Sequence, residues 1–402
     1  MIVITKPFST KMRNKIVILT ALALVALVIL SSLSVTSLAN VPHTSSTDSS
    51  GISTYTNLVE NRQILINGGI SITGDSGFSS SVYVSAGNGT KENPYVIQNL
   101  DIAVNNDTGI YISDTSSYFL IKDVVINMKP ISSGFENGIN LQDVSNGQFA
   151  NVTIFSNLYP TTYIVNGTYL SNESLSGLTM YNSNNISISG SLMKNLTGGI
   201  GIYESSNISV SNTNISYAVI NGIGSEFSEN LHFSDNQISH NHHNNMQIIN
   251  SQEVKVERNH LSYAGGDNVW LWNTSNSYIL FNNVSYDLKY QAILVYPGNH
   301  DTVANNTVFS SAQAIVLFPG NNSTVVNNQI YNVSDGIVIG GSVNDSISSN
   351  HIADSKNLSI ELGWGSRDLT VEGNQIQDSG TGVDVSSVTG LTLSSNEICM
   401  LL

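Results

Sequence analysis

Cysteine is nearly absent from this chain: Cys399 stands alone among 402 residues. No intrachain disulfide can form, and no cysteine-based metal centre can be built. Positive charge is scarce as well, with 14 Lys and Arg against 29 Asp and Glu and a formal charge of −15. A phosphate backbone is held by a basic stripe that displaces its counterions, so this balance speaks against nucleic acid as a partner. It speaks equally against docking on anionic lipid. Charged residues of both signs reach only 11 %. Asn, Ser, Thr and Gly take their place, and these favour turns over helices. Disorder does not follow, because 40 % of the residues are hydrophobic and they recur at regular spacing.

A long apolar run is missing everywhere except near the start. Lys6, Lys11, Arg13 and Lys15 precede an apolar stretch over residues 16–30, and Ser37-Leu38-Ala39 supplies small residues for cleavage. The stretch falls short of the roughly 20 residues a spanning helix needs. Residues 1–39 therefore read as a signal peptide, with a retained signal anchor as the alternative. Either way the remainder is expected outside the cytoplasm: secreted, periplasmic or on the cell surface, touching membrane only through this segment. Residues 40–90, rich in Ser, Gly and Thr, read as a linker and an N-terminal cap, and residues 91–402 as the main domain. Asn-x-Ser/Thr triplets, among them Asn88, Asn151, Asn166, Asn207 and Asn283, offer glycan acceptors.

What is abundant is repetition. The triplet of Asn, any residue, then an aliphatic occurs at Asn236, Asn259, Asn282, Asn306, Asn328, Asn350, Asn374 and Asn396, with starts 22 to 24 residues apart. Such periods mark solenoids. A short strand precedes each triplet (Ile208-Ser-Val, Leu231-His-Phe, Val254-Lys-Val), and an apolar pair follows it (Ile200/Ile202, Met246/Ile248, Ile315/Leu317, Ile337/Ile339). All three alternate apolar and polar residues, the period of a strand with one buried face. Three short strands per repeat predict an all-β fold, a right-handed parallel β-helix with one coil per repeat. The recurrent Asn then stacks at one corner, where each side-chain amide can donate to the next. Irregular insertions interrupt the array near residues 129–135 and 159–174.

The segment Gly87-Asn-Gly-Thr-Lys-Glu-Asn-Pro-Tyr-Val-Ile-Gln-Asn-Leu-Asp-Ile, followed by Thr108-Gly-Ile-Tyr-Ile-Ser-Asp-Thr-Ser-Ser-Tyr-Phe, resembles the NosD-type family of right-handed β-helix proteins. The resemblance spans roughly residues 87–398. It implies the pectate-lyase-like fold and sets the chain beside sugar hydrolases, lyases, epimerases and surface proteins. The copper association of the family name finds no Met-rich or Cys ligand set here.

Residues for chemistry fall into two groups. On the outward side of the third strand, one position reads Tyr181, Tyr203, Glu226, Ile249, Trp272, Tyr296, Phe318 and Gly340 coil by coil, with Trp270 on the same side. A strip of Tyr203, Trp270, Trp272, Tyr296 and Phe318 suits stacking on sugar rings and predicts a carbohydrate-binding module; insertions folded over it would make it packing instead. The second group is the turn bearing His240, His242 and His243, with Asp267 one coil on and Lys289 two coils on, and Tyr263 and Tyr286 stacked over His240. A base, a cation and a proton donor are what a polysaccharide lyase or C5-epimerase acting on uronates needs, so His240, His242, Asp267 and Lys289 form the enzyme alternative. Metal binding by His240 and His242, with His243 or His260 giving the third nitrogen, is a third reading, and a structural surface protein a fourth. No cofactor is called for. No aspartate pair for hydrolysis is expected on adjacent coils. The strip carries the preferred reading, a polysaccharide or cell-surface glycan as partner.

Overall fold

The structure, a computed structural model, describes residues 64–399 except 106, 130–133, 159–161, 166–167 and 172, together with Ile2–Ile4. The signal segment after Ile4, most of the linker and the Asn166 acceptor lie outside the described residues. The chain winds as a right-handed parallel β-helix of about 12 turns with one short helix. Each regular coil supplies three strands. The first joins the front sheet, as Gly198–Tyr203, Ile223–Glu226, Met246–Ile249 and Val269–Trp272 do. The second joins a side ladder (Ser206–Ser211, Glu229–Ser234, Gln252–Glu257) and the third a back ladder (Asn214–Ser216, Gln237–Ser239, His260–Ser262). Within each, the neighbouring coils pair in parallel.

The period-2 pattern places its apolar members inside. Ile200, Ile202, Met246, Ile248, Ile315, Leu317, Ile337 and Ile339 are at most 2 % exposed, and Ile208, Val210 and Ile215 face them from the two ladders. Each such side chain contributes about 1.5–3 kcal/mol on burial. Between strands the chain turns through a residue of positive φ, for example Glu204 (50°), Asn212 (49°) and Tyr217 (58°) in one coil. Asn tolerates this conformation best among residues with a side chain, which explains why Asn crowds the corners.

The Asn column forms as the repeat predicts. Asn236, Asn259, Asn282, Asn306, Asn328 and Asn350 each donate from Nδ2 to the Oδ1 of the next Asn, at 2.9–3.0 Å. A second Nδ2 hydrogen goes to a backbone carbonyl of the preceding coil, as from Asn306 to Ile279. Each Oδ1 also accepts the backbone N–H of the preceding Asn, as Asn328 does from Asn306. Every polar atom of these buried amides is therefore matched, and the column continues upstream through Thr213 and Ser191.

The first coils are built differently. Tyr95–Asn105, Phe119–Lys129 and Gly147–Ser156 each serve the side and back ladders in one long strand, bent at Asn99, Asp123 and Asn151, all of positive φ. Parallel pairing begins at Ile64–Asn67 and Ile70–Thr73, upstream of the boundary drawn at residue 91. The helix Gly74–Ser80 follows, and its Phe78 is fully buried between Tyr95 and Phe119, each 5.1 Å away ring to ring. The second insertion contains an antiparallel pair, Thr162–Val165 with Thr168–Ser171. Among the described residues no helix is long and apolar enough to cross a membrane.

Candidate functional site

The outward column of the front sheet keeps the register expected of it. Tyr181, Tyr203, Glu226, Ile249 and Trp272 are direct neighbours across successive strands. Leu271 pairs with Val295, Val295 with Leu317 and Leu317 with Ile339, which sets Tyr296, Phe318 and Gly340 next in line. Rings stack in pairs: Tyr181 on Tyr203 at 4.8 Å, Trp270 on Trp272 at 5.8 Å and Tyr296 on Phe318 at 5.8 Å. Trp364, which sequence spacing did not flag, meets Phe318 edge-on at 5.7 Å. It can do so because Gly340 has no side chain; a Cβ there would collide with both rings. Tyr181 and Trp364 are 46 % and 48 % exposed, so the two ends of the strip are open to solvent. Burial, helped by the charges of Tyr181 and Glu226, raises the pKa of Tyr203 above its ordinary value.

Trp270 occupies its place at a cost. Asn221 donates from Nδ2 to Gln247 Oε1 at 2.6 Å. One coil on, Asn244 takes the position of Asn221, and Trp270 pairs in register with Gln247. An indole offers only a donor, so Asn244 Nδ2 and Trp270 Nε1 are both left buried without a partner. An unmatched buried donor costs about 1–3 kcal/mol.

The histidine corner lies at one edge of this sheet. Tyr217, His240, Tyr263 and Tyr286 stack in sequence at 5.1, 4.6 and 4.5 Å, as expected for His240 with the two later tyrosines. Tyr217 extends the stack, with the Lys194 ammonium 5.3 Å from its ring centre. Burial lowers the pKa of His240, His242 and His243, which favours neutral imidazoles near pH 7. His243 Nδ1 lies 3.2 Å from Asn221 Oδ1. Among the described residues no group of three or more His, Cys, Asp or Glu is placed to hold a metal ion. In so tight a turn, His240 stacks in the ring column while His243 reaches back to Asn221, and His260 sits exposed on the back ladder. Asp267 is 7 % exposed, accepts the Gln291 N–H at 2.9 Å and is pushed by burial up to about 7. Lys289 is exposed, and its ammonium lies 4.9 Å from the centre of the Tyr290 ring. Asp287, unmarked in the sequence, is fully buried, accepts the Tyr290 N–H and is raised to about 7 by burial, with Asp267 adding.

At the opposite edge of the sheet runs a groove of about 530 Å³, lined by Glu204, Phe227, Glu229, Asn250, Gln252 and Asn273 among others. Four of these follow strip positions by one residue: Glu204 after Tyr203, Phe227 after Glu226, Asn250 after Ile249, Asn273 after Trp272. The groove therefore begins at the corners where these strands of the strip end. Phe227 is 59 % exposed and has φ 52°, an uncommon conformation for so large a side chain.

Residues 131–285 and 269–399, together more than half of the chain, match the family described as the right handed beta helix region. The chain belongs to that family. A comparison with curated protein sequences finds no match. Among solved structures this β-helix is similar to the periplasmic alginate epimerase AlgG, with a TM-score of 0.54 and 12 % identity over 86 % of this chain and 89 % of that one. It is similar to the A-module of the Azotobacter vinelandii mannuronan C-5 epimerase AlgE6, with a TM-score of 0.53 and 13 % identity over 75 % and 88 %. The Dettilon tailspike protein follows at 0.57 and 13 %, over 79 % and 68 %. At such identities the likeness concerns the fold alone.

Carboxylates do meet on adjacent coils: Glu361 and Asp384 are direct neighbours on the outward side of the front sheet. Burial raises the pKa of Glu361, and Asp335 and Asp384 add to it. This pair joins Glu with Asp, which an expectation framed for aspartates alone does not cover. On the side ladder, His232, Lys255 and Arg258 surround Glu257 at 2.8–3.0 Å. Burial works to raise the pKa of Glu257, but the bonds from Lys255 and His232 hold it at about 2.

Proposed function

We propose that this protein is an exported β-helix module that binds carbohydrate along the strip of Tyr203, Trp270, Trp272, Tyr296 and Phe318, extended by Trp364. The observation that carries this reading is Trp270. Two buried donors stay unmatched where the preceding coil pairs Asn221 with Gln247, and departures from local consistency of this kind concentrate at functional positions. Aromatic faces at coil spacing suit the apolar faces of sugar rings, and Tyr and Trp combine large area with little conformational freedom to lose. The groove beside the strip supports the same reading, since sugar hydroxyls need polar partners next to the stacking surface. Structural neighbours named as alginate and mannuronan epimerases agree with a glycan partner outside the cytoplasm. The kinship with NosD-type proteins, carried by residues 87–119, belongs to the same proposal.

The enzyme alternative has less behind it. Asp267 and Asp287 have carboxyls poised near neutrality, as acid and base work requires. Yet Asp267 is engaged with Gln291, Asp287 is buried, and Lys289 is turned to Tyr290. The test is a glycan-array screen of the full chain beside Trp272→Ala. Binding that falls at least about tenfold in the variant, with unchanged circular dichroism, is expected; one centrally stacked aromatic is worth on the order of 1–3 kcal/mol. A folded chain that binds no glycan would remove this function, and turnover of a uronate polymer that Asp267→Asn abolishes would move it to the histidine corner.

A further inference from the structure

We propose that the groove selects the ligand by charge, accepting glycan units that carry hydroxyl or ammonium donors and rejecting those that carry a carboxylate. The ligand is then a neutral or amino-sugar polymer and not a polyuronate. This inference rests on the glycan-binding reading above and adds its specificity.

A chain lying along the strip meets the groove, because its lining residues directly follow strip positions. The charged groups it meets there are all acceptors. Glu204 and Glu229 both line the groove, and Glu226 stands in the strip between Tyr203 and Ile249. Ionised carboxylates only accept hydrogen bonds. One hydrogen of Gln252 Nε2 goes to Glu229 at 2.9 Å and one of Asn273 Nδ2 to Asn250 at 2.7 Å, so the nearby amides spend part of their donor capacity within the lining. No Lys, Arg or His lines the groove. On the adjoining side ladder, Lys255 is tied to Glu257 and Arg258 to Asp235 and Glu257, so these cations are committed elsewhere. Phe227, exposed within the groove, offers a ring to the apolar face of a sugar while the carboxylates take its hydroxyl or ammonium hydrogens. A uronate entering the same space would bring a third like charge between Glu204 and Glu229, and like-charge contacts are a strong means of rejecting a ligand.

The experiment titrates the full chain calorimetrically with three oligosaccharides of equal length: a neutral glucan, a chitosan and an alginate, at low and high salt. The glucan or the chitosan is expected to bind at least about tenfold more tightly than alginate at low salt, with the gap narrowing at high salt. In the double variant Glu204→Gln/Glu229→Gln, both sites being on the surface, the gap should shrink to about threefold or less. A chitosan preference over glucan that salt erases assigns the carboxylates to ammonium groups; equal binding assigns them to hydroxyls. Alginate binding as tightly as the others to the unaltered chain, and lost in Trp272→Ala, overturns the selectivity while leaving the strip in place. A gap that survives the double variant also overturns it. Failure of all three to bind overturns both readings.

Discussion

The corner where each back-ladder strand begins and the face where each front-sheet strand looks outward treat their polar groups in opposite ways. At the corner, Asn282, Asn306 and Asn328 use both amide hydrogens and the carbonyl oxygen within the column. On the front face, Asn244 and Trp270 retain unmatched donors, and Phe227 is exposed in a groove. Repetition in sequence produced the first, since a matched ladder needs the same amide at the same place in every coil. Departure from repetition produced the second. On the proposed reading, stability and recognition are kept on separate sides of each coil.

The largest effect should come from breaking the corner. Asn306→Ala removes the acceptor used by Asn282 and the donor used by Ile279 and Asn328, and should cost about 3–5 kcal/mol in urea denaturation. Asn273→Ala, on the exposed groove wall, should cost about 0.5 kcal/mol or less. Equal losses would dissolve the contrast.

Next comes pH. Asp267, Asp287 and Asp301 are held by burial at about 7 in the folded chain against an ordinary 3.8. Between those values the folded chain binds more protons than the unfolded one, so their contribution is whole below about pH 4 and is lost as pH rises through 7. Glu257, at about 2, acts oppositely and only below pH 4.5, so it does not compensate. Tm should therefore be higher at pH 5 than at pH 8 by about 5 °C or more, and Asp287→Asn should reduce the difference. An unchanged Tm across this range would contradict the burial of these carboxyls.

Trp270→Gln sharpens the comparison from the other side. It restores to Asn244 the acceptor that Gln247 gives Asn221, and should stabilise the chain by about 1 kcal/mol while weakening glycan binding about tenfold. A variant that loses stability would show that Trp270 is kept for packing. The smallest effect is expected at Arg258→Ala. Its guanidinium pairs with Asp235 at the surface, where such pairs add little, and Glu257 keeps Lys255 and His232 as partners when Arg258 is lost, so Tm should fall by no more than about 2 °C.

How much of this was legible depended on whether neighbouring coils say the same thing. The Asn triplets, the inward aliphatics and the register from Tyr181 to Phe318 could be read because each position recurs every 22 to 24 residues. The stack of His240, Tyr263 and Tyr286 was legible for the same reason. Trp364 was not, because it lies one residue beyond the column and packs against Phe318 only through the space at Gly340. The meeting of Glu361 with Asp384 was not legible because it joins carboxylates of different type and recurs in no other described coil. Asp287 carries no mark in the sequence, and its burial depends on coils before and after it.

The sequence alone determined the strand period, the coil length, the corner amide column and the aromatic row, because each follows from backbone geometry acting identically on every repeat. The tertiary structure decided which of those groups end up matched. Hydrogen-bond partners, burial and the groove beside the strip arise between coils, where one residue's valence is met or left open by whatever stands about 23 positions away.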